Sequence, residues 1–120
     1  MSNLGLVSTG LLLLVLVVSV LTSFQFISNA QEQVNVTIVS EASTLNDKAF
    51  QPNPLKVSVG TTVVWTNDDF GLHTITDNNV AFDSGTLRPD DTFEYTLDKT
   101  RTYAYHCMLR PSMVGRVVVL

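Results

Sequence analysis

The sequence predicts an all-β domain, a sandwich or barrel of short strands. Three observations carry this. Past residue 30, apolar residues recur at every second position rather than at helical spacing. Gly, Pro, Asn and Asp punctuate these runs at short, regular intervals. A chain of 120 residues is long enough for one small domain and no more.

Residues 1–30 stand apart from that pattern. They contain no Asp, Glu, Lys or Arg, and Leu11 to Leu21 is apolar except for Ser19. Ser28-Asn29-Ala30 supplies small residues at a spacing that suits signal peptidase. The segment is read as an export signal cleaved before Gln31, although a basic n-region is missing. The alternative is a retained anchor, because Leu4 to Ile27 is long enough to cross a bilayer with some tilt. Either way, residues 31–120 are expected to work outside the cytoplasm, with membrane attachment through residues 4–27 only if the anchor is kept.

Within residues 31–120 the first strand is Val34, Val36 and Ile38 alternating with Asn35 and Thr37. Glu41–Phe50 is the one stretch that could turn helically, though it is short and poorly amphipathic. Pro52-Asn-Pro54 marks a turn, and Leu55, Val57 and Val59 then alternate with Lys56 and Ser58. After Gly60 comes Thr62–Asn67, rich in β-branched residues. Turn signals at Asp77–Asn79, Ser84-Gly85 and Pro89–Asp91 precede the alternating run Phe93, Tyr95 and Leu97. Tyr103, Tyr105 and Cys107 share one face of a further strand, with Ala104 and His106 on the other. Arg116–Leu120 is the last.

The formal net charge is −4, and all charged residues lie beyond residue 30. A mildly acidic domain argues against a nucleic-acid partner. A Gly-x-Ser-x-Gly motif, a candidate acid–base pair and a second metal cluster are all missing, so an enzyme is not expected. The single Cys cannot form an internal disulfide and, in an exported chain, calls for another explanation. Asp68-Asp69 is expected near the Cys end of the domain and Asp90-Asp91 in a distant turn; they are read first as solvated turn residues, the alternative being acids that steer a basic redox partner.

The chemistry concentrates in Cys107-Met-Leu-Arg110-Pro-Ser-Met113 and in His73. Taken singly, a buried Cys, a loop Met and a scaffold His are each more often structural than ligating. Together, from two loops at one end of a sandwich, they make a soft-metal pocket: a thiolate, an imidazole and a weak thioether.

With these residues in hand, the chain resembles the cupredoxins, within them the plastocyanin and amicyanin-like proteins. The resemblance covers roughly Phe50 to Leu120. It rests on Phe50-x-Pro52, on Leu55-x-Val-x-Val-Gly60-x-x-Val-x-Trp65-x-Asn67, on His73-Thr74 and on Phe82-Asp-Ser-Gly85. Tyr103-x-Tyr-His-Cys107, the Cys-to-Met loop and Gly115-x-Val-x-Val complete it. It implies a cupredoxin-like Greek-key sandwich and one type 1-like copper ion held by His73, Cys107 and Met113. It further implies a hydrogen bond from the Thr74 amide to the Cys107 sulfur. The implied role is extracytoplasmic electron transfer as a monomer, with a redox partner protein when copper is loaded. In this family a second His ligand falls at position 110, the exposed edge through which electrons leave.

Here that position is Arg110. Arginine has no lone pair to offer and stays protonated, so it cannot ligate copper in either oxidation state. Pro111 is kept, so the loop is expected to survive and only the ligand to be lost. Three outcomes are open: copper still binds through His73, Cys107 and Met113 with water or another group in the second His position; His106 swings in as a substitute; or the site is empty, and Arg110 then stays in solvent, pairs with the Cys107 thiolate or is held by Asp68 or Asp69. His106 is not expected to substitute, since it faces away from Cys107. The alternative to an electron carrier is a cupredoxin-fold binding or structural module that has lost copper and redox work.

Overall fold

The computed structural model describes residues 32–120. The leader expected at residues 1–30 lies outside the described residues. Among the described residues, eight strands form two four-stranded sheets. They are β1 (Gln33–Ile38), β2 (Phe50–Gln51), β3 (Leu55–Val57), β4 (Thr62–Asn67), β5 (Thr76–Asp77), β6 (Thr92–Thr96), β7 (Thr102–Cys107) and β8 (Arg110–Val119). One sheet runs β2-β1-β4-β6 and the other β3-β8-β7-β5. The pairs β1–β4 and β3–β8 are parallel and the rest antiparallel.

The period-two pattern becomes two inward faces. Val63 and Trp65 of β4 and Tyr103, Tyr105 and Cys107 of β7 are buried, while their neighbours along each strand are more exposed. Trp65 packs edge-on to Tyr105 at 5.6 Å between ring centroids, and Phe50 does the same from β2 at 4.9 Å. The core thus joins both sheets through aromatic rings. Gly115 of β8 lies opposite Tyr105 across the β7–β8 ladder. A Cβ there would stand 2.4 Å from Tyr105 Cζ, so the ring needs a glycine beneath it.

Four expectations are corrected. Glu41–Phe50 is not a helix: it makes two single 3-10 turns, Ala42–Thr44 and Asn46–Lys48, before β2 begins at Phe50. Glu41 (φ 64°) and Asn46 (φ 52°) adopt left-handed backbone, which interrupts a regular helix. Val59 leaves the strand at its end and is 51% exposed, because the chain turns at Gly60 (φ +90°). The last strand begins at Arg110 rather than Arg116, since Arg110 pairs with Cys107 across a turn made by Met108 and Leu109. The Pro89–Asp91 turn is not distant from the Asp68-Asp69 loop: the Asp90 amide and the Asp91 carbonyl both bond to the backbone of Asn67. No helix among the described residues is long and apolar enough to cross a membrane.

Candidate metal centre

The β7–β8 hairpin supplies two of the three candidate donors. Its ladder is regular up to His106↔Val114 and then jumps to Cys107↔Arg110. Pro111, Ser112 and Met113 lie between those two pairings and belong to β8 alone, an enlarged bulge at the hairpin tip. Cys107, ending the buried face of β7, is fully enclosed. Met113, closing the bulge, is fully enclosed as well and shares the core with it.

The third donor comes from the connection between the sheets. His73 forms a backbone bridge with Leu87, donating at 3.1 Å and accepting at 2.7 Å. Asn67, the buried last residue of β4, organises the loop between: its side-chain amide donates to the carbonyls of Gly71 (2.9 Å) and Leu87 (3.1 Å), and its Oδ1 accepts from the Asp69 amide (3.0 Å). These bonds turn the chain so that the His73 ring meets Cys107.

The ring's two nitrogens have separate partners. Nε2 lies 2.7 Å from Asp69 Oδ2, and Nδ1 lies 3.7 Å from Cys107 Sγ. Asp69 also accepts the Glu41 amide at 2.9 Å. Burial alone would raise the Asp69 carboxyl, but the His73 bond, with the Glu41 and Phe70 amides, outweighs it and holds the group below the usual carboxylate range. An ionised carboxylate only accepts, so Nε2 carries a ring proton, and in the neutral ring the Nδ1 lone pair faces the sulfur. Gly71 covers this contact: a Cβ there would come within 3.3 Å of both Asp69 Oδ2 and His73 Nε2.

The sulfur has further support. The Thr74 amide donates to Cys107 Sγ at 3.4 Å, and the Thr74 hydroxyl accepts the Met108 amide at 2.8 Å. The His73 loop is thus tied to the hairpin tip on both sides of the sulfur.

Does this arrangement fit a metal ion? Bonds of about 2.3 Å to sulfur and about 2.0 Å to an imidazole nitrogen, opened to a trigonal or tetrahedral angle, span a donor separation like the 3.7 Å seen here. A thiolate, a neutral imidazole with its far nitrogen held by a carboxylate, and an enclosed thioether together suit a soft first-row ion. The His73–Cys107 pair therefore fits copper, with the enclosed Met113 as the candidate third ligand.

Arg110 is exposed, and among the described residues no carboxylate lies within ion-pair distance of it. Asp69, one of its expected holders, is bound to His73 instead. That also removes Asp69 as a surface steering acid. His106 is half-buried on the opposite face of β7, where its Nδ1 lies 2.6 Å from Asn78 Oδ1. Around Arg110 the end of the domain is apolar: Leu72, Met108 and Leu109 are about half exposed, and Phe70 is 91% exposed.

Asp69, Gly71 and Phe70 were missed as parts of the site. The spacing Asp69-x-Gly-x-His73 was available, but a loop contact four residues apart has no periodicity to reveal it.

This two-sheet architecture, with its Cys and Met on one hairpin and its His on a crossing loop, belongs to the cupredoxin family. A purple cupredoxin from Nitrosopumilus maritimus shares 32% identity with the chain, over 72% of this chain and 99% of that one, with a TM-score of 0.68. A methionine-to-alanine variant of amicyanin in its Cu(I) form aligns at 25% identity over 78% and 87%, with a TM-score of 0.63. A copper-containing nitrite reductase from Thermus scotoductus aligns at 27% identity over 73% of this chain but only 22% of that larger one, with a TM-score of 0.62. No family model matches the chain.

Proposed function

We propose that this protein binds one copper ion through His73, Cys107 and Met113 and carries single electrons in an extracytoplasmic compartment, with residues 1–30 as its export signal or anchor and residues 31–120 as the working domain. Cupredoxin membership supports copper and electron transfer in general. The observation that carries the reading is the Cys107 Sγ–His73 Nδ1 separation of 3.7 Å, with the far ring nitrogen committed to Asp69.

Copper, when bound, supplies a one-electron couple. The residues do the rest. Asp69 fixes the tautomer and orientation of His73. The Thr74 amide steadies negative charge on the Cys107 sulfur. Burial of the three side chains would limit their rearrangement between oxidation states of a bound copper. The apolar rim of Phe70, Leu72, Met108 and Leu109 offers a redox partner protein a surface to dock on.

The order Cys107–His73–Asp69 also has the sequence of roles of a thiol hydrolase, nucleophile, base and orienting acid. Cys107 is fully enclosed, so a substrate has no route to the sulfur, and a carrier fits better than an enzyme.

The test is copper content after anaerobic loading and dialysis. One copper per chain is expected, lost in Cys107→Ala and His73→Ala. Retention of none by the unaltered protein would reject the reading. It would favour a cupredoxin-fold binding module instead, with the exposed Arg110 at its contact face.

A further inference from the structure

We infer that Arg110 makes this a Cu(I)-selective centre, one that holds reduced copper far more tightly than oxidised copper; the inference rests on the copper site proposed above. Three observations lead to it.

The donor set proposed above is two sulfurs, of Cys107 and Met113, and one nitrogen of His73. Thiolate and thioether donors select Cu(I), whereas Cu(II) favours more ligands and harder ones, in tetragonal nitrogen and oxygen sets. A second imidazole is the ligand Cu(II) needs most, and Arg110 cannot supply it.

Two side chains that could replace it, Asp69 and His106, are engaged elsewhere. Asp69 spends its carboxylate on His73 Nε2 and the Glu41 amide. His106 lies on the other face of β7, at 2.6 Å from Asn78. No group of three or more His, Cys, Asp and Glu comes together among the described residues, so no harder donor set competes for the ion.

Two electrostatic effects oppose each other. The Arg110 guanidinium disfavours the higher charge of Cu(II), but it is exposed, so solvent screens it and its share is small. Asp69 raises the basicity of His73 and favours Cu(II). It acts through a ligand that both oxidation states share, and such outer partners are worth about 10–100-fold in affinity. Loss of a direct ligand falls on Cu(II) at least as heavily. The donor set therefore decides, and the couple moves up by about 59 mV for every tenfold loss of Cu(II) binding relative to Cu(I).

The experiment compares the unaltered protein with Arg110→His and Cys107→Ala. Anaerobic competition against a colorimetric Cu(I) chelator gives the Cu(I) affinity, and spectroelectrochemical titration gives the potential. The expected result is one tightly held Cu(I) per chain that is lost in Cys107→Ala. Arg110→His should then gain Cu(II) affinity by tenfold or more beyond any gain in Cu(I) affinity. Equal gains for both oxidation states, or the same potential in both proteins, overturn the selectivity and leave the copper site standing. Failure of the unaltered protein to hold copper in either state, or Cu(I) retained undiminished by Cys107→Ala, overturns both.

Discussion

Asp69 shows how much one side chain can decide. A sequence reading puts it on the surface beside Asp68, yet its carboxylate is buried on His73. Asp69→Ala should lower copper affinity about 10–100-fold, measured by chelator competition, because the imidazole loses the partner that sets its tautomer. The same carboxylate links stability to pH. Its folded value lies below the ordinary 3.8, so its contribution is present above that value and fades as pH falls through the lower, folded one. Denaturant titrations of metal-free protein should show the unaltered chain more stable than Asp69→Asn near neutrality, with the gap closing only below about pH 3.8. A gap that closes nearer neutrality would mean that another group governs it. The contact was illegible in the sequence because it depends on Asn67 pinning Gly71 and Leu87, bonds that no local pattern encodes.

The β7–β8 hairpin is where element-level reading did best and also where it stopped short. Alternation of Tyr103, Tyr105 and Cys107 gave the strand and its buried face, and the Cys-to-Met spacing gave the candidate donors on it. The turn was shorter than expected, because pairing of Cys107 with Arg110 extends β8 and leaves Pro111–Met113 as the bulge. The two-residue strand β5 was missed altogether; Thr76-Asp77 is too short to show a period and forms only because β7 offers it an edge. Gly115 makes the hairpin's tightest demand. Gly115→Ala would press on Tyr105, whose ring cannot yield between Phe50, Trp65 and Phe82. A loss of about 1–3 kcal/mol in chemical denaturation is expected. An unchanged midpoint would show that the ring has room to move.

At the scale of the molecule, the proposed donors come from parts that are remote in sequence. His73 rides on the connection from one sheet to the other, while Cys107 and Met113 belong to the hairpin of the second sheet. Copper bound there acts as a cross-link, so one equivalent of Cu(I) should raise the thermal midpoint of the unaltered protein and leave Cys107→Ala where it was. Phe70 has the opposite character. At 91% exposure it supports no packing, so Phe70→Ser should change stability by no more than about 0.5 kcal/mol. Any effect of that change should appear in electron exchange with a partner, measured by stopped flow.

The bulge at Pro111–Met113 has a consequence for how the hairpin tip tolerates substitution. The ladder is complete without it, resuming at His106↔Val114, and Arg110 sits at the tip with its side chain in solvent. Mutation can therefore alter residue 110 without disturbing the strands beneath. The proposed metal chemistry can thus be retuned at one exposed position while the scaffold stays as it is.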